Sequence, residues 1–444
     1  MARQSSVSLM TEGNVKKLIL TYAGPIFIGQ LFQQLYNTAD AMIVGNYVGQ
    51  NALAAVTCVG SLSFLFVGFF TGFSTGASVI VAREIGAGRN ENTKKAIHTT
   101  VALGLVLSLI MTIVGVSLSS ILLRWMDTPE VVYPLALTYL RIYFMGSIPL
   151  IMYNMFVGII HAGGDSKHPL YYLICSSILN VILDVILIKY FNLGVAGAAI
   201  ATVFSEFISM LLCMIQLMRE EGILHLSWKD VKFDKDNLRE IIEYGLPTGL
   251  QGSVIDIANV LIQSYINSFG AAAVAGIGAF SKIDGFVFLP VTSFSMALTT
   301  FVSQNLGAGL MDRVRSGTRF GLFVAIVIVE LTGVVVYTFA PQLVGLFNSD
   351  PTVIFYGVSR ARVCTLFYFL LGFSHIVSAI LRGIGKPVMP VVVMLVCWCA
   401  VRVITLMTLG KVIHDIRITY WLYPITWFLS SVVYFRWLKK EKLI

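Results

Sequence analysis

Long apolar runs dominate this chain and recur from residue 16 to residue 437, separated by short polar or charged stretches. Cutting the sequence at clusters of Gly, Pro and charge leaves twelve spans, each long enough to cross a bilayer as an α-helix, which takes about 20 residues. The predicted spans are 16–45, 50–82, 95–123, 134–160, 168–190, 194–218, 239–268, 271–303, 317–346, 355–381, 387–410 and 418–437. The pattern predicts an all-α integral membrane protein with twelve transmembrane helices.

The sequence contains an internal repeat of this pattern. Shifting the sequence by 221 residues pairs "GQNALAA" at 49 with "GAAAVAG" at 270, and "IGAGRN" at 85 with "LGAGLM" at 306. Six is an even number, so both halves start on the same membrane face and the repeats are parallel. Parallel six-helix repeats predict two lobes around a central cavity, as in alternating-access transporters. We expect an N-terminal lobe at 1–218, a cytoplasmic linker at 219–240 and a C-terminal lobe at 241–444.

Composition supports the membrane assignment, because 57% of the residues are hydrophobic, 12% are charged and the mean hydropathy is +0.83. Soluble proteins carry roughly 25% charged residues. With both termini in the cytoplasm, 22 of the 31 Lys and Arg lie on the cytoplasmic side, four lie opposite and five lie within spans. The positive-inside rule therefore predicts cytoplasmic termini in the cell membrane. The net charge of +8 is thus explained by topology, and no nucleic-acid partner is expected.

One predicted span combines apolar residues with a polar stripe, in "GQLFQQLYNTADAMIVGNYVG" at 29–49. Gln30, Gln33, Asn37 and Asp40 are spaced i, i+3, i+7 and i+10, which is one helix face, and Gln34 lies beside them. Such a stripe can simply hold a helix against its neighbours. An ionisable group facing lipid costs several kcal/mol, however, so Asp40 should face a cavity and have a functional role.

The motifs "YAGPIFIGQLFQQLYNTADAMIVGNYVGQNALAAV", "GASVIVAREIGAGRNENTKKA", "HAGGDSKHP" and "LRGIGKPVMP" together resemble the multidrug and toxic compound extrusion (MATE) family. The resemblance covers essentially the whole chain. It implies a secondary active antiporter that exports drugs or organic cations in exchange for protons or sodium ions. It also implies a monomer that handles small, cationic, amphipathic substrates in the lipid bilayer, with no cofactor, no metal and no enzymatic activity. The sequence contains no G-x-x-x-x-G-K-[ST] phosphate-binding loop.

The family's proton-coupled branch uses an acid in the first span and an Asn/Asp pair in the fifth. Asp40, Asn180 and Asp184 match those positions, so the resemblance implies that they take up the coupling ion, a proton or alternatively sodium. Asn180 and Asp184 are spaced i, i+4 and share a helix face. Two carboxylates in one dry pocket cannot both be ionised cheaply, so they should titrate as a coupled unit. Glu206 in the sixth span either joins this cluster or pairs with a basic neighbour.

The C-terminal half departs from the sodium-coupled branch, which places an acid eight residues after the proline of the seventh span and another in the tenth. Here the first position is Ile255, and "CTLFYFLLGFSHIVSAIL" contains no acid. Asp256, Asn259 and Gln263 instead form a second polar stripe. Together with Gln33, Gln34, Asn37 and Glu206, these three residues are candidates for the substrate cavity. Lys282 either joins that cavity, opposite an acid such as Asp256, or forms a buried ion pair that fixes packing.

Pro25 and Pro247 lie inside the first and seventh spans, where a missing backbone hydrogen bond favours a kink, so both are hinge candidates. Three other classes of membrane protein agree less well with the sequence. A flippase of a lipid-linked precursor, from the same superfamily, is the main alternative. A major facilitator transporter is disfavoured by the loop "REIGAGRNENTKK", which lacks that family's motif, and a membrane enzyme by six scattered histidines.

Overall fold

The protein is all-helical in the computed structural model, which describes residues 9–444, apart from the side chains of residues 61, 64, 65, 253, 254, 256 and 257. Helices α1 to α16 span Val15–Tyr47, Gln50–Gly86, Asn90–Trp125, Tyr133–Met145, Ser147–Ala162, Lys167–Val185, Gly194–Arg219, Lys235–Asn267, Ala271–Gly307, Met311–Thr338, Ala340–Gly345, Pro351–Thr365, Tyr368–Gly383, Val388–Val393, Val401–Val412 and Arg417–Lys440. Short π-helical turns, Ile186–Tyr190 and Met394–Ala400, follow α6 and join α14 to α15.

The prediction of twelve membrane-spanning elements is confirmed. Among the described residues, seven helices are long and apolar enough to cross a membrane, or nine if each of two bent helix pairs counts as one span. The other three are α1 and α8, of 33 residues each, and α16, of 24 residues. These three are long enough to span but carry more polar or aromatic positions than the others, which lowers their hydropathy. Two of the three are the helices with the predicted polar stripes.

The helix boundaries reproduce the sequence repeat. Both ends of α2 and α9 differ by 221 residues, and so do both ends of α5 and α13. The starts of α3 and α10 and the ends of α7 and α16 keep the same separation. Equivalent sequence positions therefore occupy equivalent places in two sets of six spans.

Two predicted spans are broken helices, and the breaks occur at equivalent places in the two repeats. The first break bends α4 against α5 by 50° and the second bends α12 against α13 by 58°. The first break lies beside Pro149, which cannot donate a backbone hydrogen bond to the preceding turn. The second has no proline at that place, and the Glu330 carboxylate accepts the Phe369 backbone N–H at 3.1 Å. Glu330, whose role the sequence left open, thus satisfies a helix terminus.

The chain forms two compact units that differ from the predicted lobes at α1 and α8. The N-terminal unit contains Ile28–Gly249, and the C-terminal unit contains Met10–Phe27 and Leu250–Ile444. The first part of α1 packs in the C-terminal unit, where the Tyr22 hydroxyl lies 3.4 Å from Thr300 Oγ1. The first part of α8 packs in the N-terminal unit. The lobe boundaries at 218 and 241 stay predictions from the repeat, while the chain passes from one unit to the other just after each of the two prolines.

A close glycine crossing joins α2 and α8 within the N-terminal unit. Gly72 and Gly76 on α2 face Gly249 and Gly245 on α8, with four-residue spacing on both helices. A Cβ atom on Gly76 would lie 2.6 Å from the Gly245 backbone nitrogen, so no larger residue fits without separating the helices. Small residues at this spacing allow helix backbones to approach closely in membranes, where packing rather than apolar burial drives association.

The loop between the two halves of the chain is ordered against α3. It runs from residue 220 to residue 234. It is shorter than the predicted linker at 219–240, since α8 begins at Lys235, four residues before the predicted start of the seventh span. Ser227 N–H donates to His98 Nε2 at 3.1 Å, and Asp234 N–H donates to Thr99 Oγ1 at 3.0 Å. The Asp234 carboxylate accepts the Asn237 backbone N–H and side-chain amide, and these bonds hold the pKa of Asp234 below its usual value. Asp234 therefore caps the start of α8.

Candidate functional site

The predicted coupling residues lie together in the N-terminal unit. Asn180 and Asp184, one turn apart on α6, are 2% and 0% exposed. The Asp40 carboxyl from α1 is close enough to that of Asp184 for the two groups to interact electrostatically. The α-helical segment of α6 ends at Val185, and a π-helical turn begins at the next residue. Such π-helical insertions are frequent at functional sites, because the extra residue redirects side chains.

The polar atoms of this site have few partners of their own. Both Asp184 oxygens, both side-chain amide atoms of Asn180 and one oxygen each of Asp40 and Glu206 are buried without a hydrogen-bond partner. No described Lys or Arg side chain forms an ion pair with Asp40, Asp184 or Glu206. We define these three acids and Asn180 as the acidic pocket. A buried carboxylate without a cation or donor is costly, so the geometry suits uptake of a proton or small cation.

The cavity beside Asn180 and Glu206 is small. It has a volume of about 10 Å³ and is lined by side chains of α1, α6 and α7, including Tyr36, Asn180, Thr202 and Glu206, while Asp40 and Asp184 are not among its lining residues. A cavity needs roughly 10–15 Å³ by this measure to hold one water molecule. The space therefore accommodates a proton on a carboxyl group, a single water or a bare small ion, and no organic molecule.

The remaining polar residues of α1 lie elsewhere. Gln33 and Asn37 are exposed and Gln34 is half-buried, and none of the three lines the small cavity. Tyr36, an aromatic residue between them, does line it, and the sequence pattern missed this residue. The only signal that could have identified Tyr36 was its position four residues before Asp40, one helical turn away. The role of Gln33, Gln34 and Asn37 in a substrate cavity stays a prediction.

A second, larger cavity lies in the C-terminal unit. It has a volume of about 370 Å³, and the predicted residues Asn259 and Gln263 line it, together with Asp284 two residues after Lys282. Lys282 is exposed and is not among its lining side chains, so its role stays a prediction. The side chain of Asp256 lies outside the described residues. Sequence reasoning did not assign Arg360 and Arg402, which line the cavity from α12 and α15.

The two hinge candidates lie next to the boundaries of the compact units. Pro25 is inside α1, two residues before the chain passes from the C-terminal to the N-terminal unit at Phe27 and Ile28. Pro247 is inside α8, two residues before Gly249 and the opposite passage. In the described part of the chain, no three His, Cys, Asp or Glu side chains converge in a way that could hold a metal ion.

Comparisons with known proteins agree with this architecture. The MatE family model matches the chain twice, over residues 25–186 and 247–407. The chain is 30% identical over 392 residues to the probable multidrug resistance protein YpnP of Bacillus subtilis (strain 168), covering 88% of each chain. It is 25% identical over 422 residues to an FAD transporter of Shewanella oneidensis (strain ATCC 700550), covering 94% of this chain and 93% of that one. A solved multidrug resistance MATE family transporter in an outward-facing conformation superposes with a TM-score of 0.91 at 25% identity, covering 100% and 99% of the two chains.

Two repeated sets of six spans, together with buried carboxylates inside them, define a polytopic membrane transporter rather than an enzyme. The chain belongs to the MatE family, the multidrug and toxic compound extrusion transporters. Both copies of the sequence repeat match the family model separately, so the duplication predicted from the sequence is confirmed.

Proposed function

We propose that this transporter is an antiporter that exports amphipathic organic cations from the cell in exchange for protons, with the acidic pocket as its coupling site. Relatives named as multidrug resistance proteins support the substrate class. The coupling site rests on one observation: Asp40 and Asp184 face each other in a buried pocket without a basic side chain among the described residues. Mutual repulsion makes the doubly ionised pair unfavourable, and a bound proton removes it.

The size of the pocket separates coupling from substrate binding. At about 10 Å³ the cavity beside Asn180 and Glu206 cannot hold an organic cation, so we assign proton and drug to different spaces. Their exchange must instead work through conformation and through the electric field of the carboxylates. We place the drug outside the acidic pocket, along the exposed polar residues Gln33 and Asn37 of α1.

Transport follows from the linkage between the two ligands. With the Asp40–Asp184 pair ionised, the negative charge attracts a cationic drug from the cytoplasm. Protons that enter from outside neutralise the pair and weaken this attraction, and the drug leaves. Because binding linkage is reciprocal, drug binding must also weaken proton binding by the same factor. Glu206 adds a third carboxylate to the pocket and increases the field in the same direction.

Helix α1 is the element that can connect these events. It carries Asp40 in the N-terminal unit, and its first part packs in the C-terminal unit, with Pro25 near the passage between them. A change in the charge of Asp40 alters the packing of one end of a helix whose other end is anchored elsewhere. Pro25 removes a backbone hydrogen bond where such a helix would bend. We assign alternating access to this bending, with Pro247 in the corresponding place on α8.

Sodium is the alternative coupling ion, because a bare ion also fits the acidic pocket. A flippase of a lipid-linked precursor is the alternative function. The relatives compared above are named for multidrug resistance or FAD transport, and none of these names points to a flippase.

Efflux from proteoliposomes distinguishes these possibilities. Vesicles loaded with a fluorescent organic cation receive a pH gradient or a sodium gradient, with wild type, Asp40→Asn and Asp312→Asn. Asp312 has a 96% exposed side chain, paired with Arg315 at the surface, so its variant controls for loss of a carboxylate outside the acidic pocket. We expect efflux driven by the pH gradient in wild type and Asp312→Asn and none in Asp40→Asn. Efflux driven by sodium alone, or full activity in Asp40→Asn, would contradict the proposal.

A further inference from the structure

The large cavity of the C-terminal unit contains two buried guanidinium groups. Arg360 and Arg402 are 6% and 2% exposed. Both lie against the Tyr423 ring, with guanidinium carbons 4.7 Å and 4.2 Å from its centroid. Arg402 Nε donates to Thr426 Oγ1 at 3.1 Å. The wall of the cavity thus holds two positive charges close together.

Part of the hydrogen-bonding capacity of these arginines is unused. Arg360 Nε and Arg402 Nη2 are buried without a hydrogen-bond partner. His375 Nε2 and Trp427 Nε1, from two other lining side chains, are also buried without a hydrogen-bond partner. Guanidinium and indole N–H groups can only donate, so at least three of these four atoms require an acceptor from the occupant of the cavity.

The charges in the cavity do not cancel among the described residues. Asp284 is the one acid that lines it, and its Oδ1 accepts the Tyr368 hydroxyl at 2.5 Å. Neither arginine forms an ion pair within 4 Å of a described carboxylate. Asp256 on α8 is the one further acid to consider, and its side chain lies outside the described residues. Buried guanidinium groups within a membrane protein are expensive to maintain and mark functional sites by default.

The repeat shows that this chemistry is specific to the C-terminal half. Three pairs of lining residues are separated by 221 positions: Ser177 and Trp398, Thr202 and Tyr423, and Glu206 and Trp427. The large cavity therefore occupies the place of the acidic pocket in the other repeat. Where the N-terminal cavity has a carboxylate and small hydroxyl residues, the C-terminal cavity has aromatic rings beside two arginines.

We propose that the C-terminal cavity binds an organic anion of the aromatic carboxylate class. Its volume of about 370 Å³ lies within the range of small-molecule sites, roughly 300–1,000 Å³. The carboxylate accepts hydrogen bonds from Arg402 and Arg360, whose planar groups suit two-oxygen acceptors. The aromatic ring packs against Trp398 and Trp427. This inference does not depend on the proposed cation export, because it concerns binding at a different cavity.

Calorimetric titration of the purified, detergent-solubilised protein tests the proposal with three probes of nearly equal shape: benzoate, benzamidine and benzyl alcohol. We expect saturable binding of one benzoate per chain and no binding of the cationic or neutral probe at this site. Arg402→Gln and Arg360→Gln should each weaken benzoate binding by about tenfold or more, the usual effect of losing a hydrogen bond to a charged group. Arg382→Gln is the matched control, since Arg382 is a half-buried arginine of the same unit bonded to Gln251 and Ser378 outside the cavity.

A second set of measurements keeps the test decisive if a variant is unstable. Arg402→Lys retains the charge without the planar group and should bind benzoate with intermediate affinity, while benzoate should raise the thermal midpoint of the wild type and benzamidine should not. Absence of saturable benzoate binding to the wild type, or equal affinity in the Arg402 and Arg382 variants, overturns the proposal. Binding that appears only in Asp256→Asn also overturns it, because Asp256 would then be the arginines' own partner. Unchanged benzoate affinity in Asp40→Asn would show that the two cavities act separately.

Discussion

The acidic pocket and the C-terminal cavity occupy equivalent places in the two repeats and have opposite chemistry. The N-terminal cavity has a volume of about 10 Å³, and Glu206 is the one acid among its lining residues. The C-terminal cavity has a volume of about 370 Å³ and is lined by two arginines and one acid among the described residues. Equivalent sequence positions, such as Glu206 and Trp427, therefore place side chains of unrelated chemistry at the two cavities. The comparison teaches that a duplicated fold fixes where a cavity forms, whereas the side chains at a few positions decide what enters it.

The comparison predicts that only the acidic pocket is needed for coupling. Asp184→Asn should reduce pH-driven efflux of an organic cation by at least about tenfold, because one member of the carboxylate pair can no longer release a proton. Arg402→Gln, in the other cavity, should leave this efflux within about twofold of wild type. Initial efflux rates in proteoliposomes measure both. If the arginine variant loses as much activity as the aspartate variant, the functional separation of the two cavities is wrong.

The two units should also differ in their tolerance of larger residues. Gly76→Ala forces a Cβ atom against the α8 backbone in the N-terminal unit, so we expect a loss of about 1–3 kcal/mol in stability. The position 221 residues later already holds Ala297, which is fully buried in the C-terminal unit. Gly60→Ala on the same helix α2 meets no atom within 4 Å and should be neutral or stabilising. Thermal unfolding in detergent compares the two variants, and equal midpoints would mean that the helix crossing adapts freely.

The broken spans give a third contrast, because one break has a proline and the other a carboxylate. Glu330→Ala removes the acceptor of the Phe369 N–H and should lower stability by about 1 kcal/mol, the usual net value of one hydrogen bond. Glu330→Gln keeps an acceptor oxygen and should recover most of that loss. Thermal midpoints at pH 7 measure the difference. Identical midpoints for the alanine and glutamine variants would assign the bend to packing alone.

The smallest effect concerns the loop that leads into the second repeat. Because hydrogen bonds hold the pKa of Asp234 below its usual value of about 3.9, its contribution to stability is present above that pH and is lost as the pH falls through the lower pKa. Asp234→Ala should therefore lower the thermal midpoint at pH 7 and lower it less at pH 3.5. Asp230→Ala, an exposed acid of the same loop, is the control. If the difference in thermal midpoint between wild type and Asp234→Ala is the same at both pH values, the ionised Asp234 carboxylate does not stabilise the fold.

The sequence was sufficient for the span count and the repeat, because hydrophobic runs and internal similarity can be read along the chain itself. The grouping of Asp40 with Asp184, 144 positions apart, came instead from the resemblance to the family, and their coupling role stays a prediction. It did not identify the contact between Glu330 and Phe369, which joins residues 39 positions apart, nor the sharing of Tyr423 by Arg360 and Arg402. Such contacts depend on how several helices pack, and no single helix pattern contains them. The passage of α1 and α8 between the compact units was missed for the same reason.

The central claim is that protons and drug are linked through the Asp40–Asp184 pair. Its most direct test is the affinity of a fluorescent organic cation for the purified protein across pH 5 to pH 9, in wild type, Asp40→Asn and the control Asp312→Asn. We predict that affinity in wild type and Asp312→Asn rises as the pair loses its proton, and that Asp40→Asn has a nearly flat profile at the low affinity of the neutral state. Superimposable pH profiles for wild type and Asp40→Asn would show that Asp40 only holds helices together and that coupling lies elsewhere.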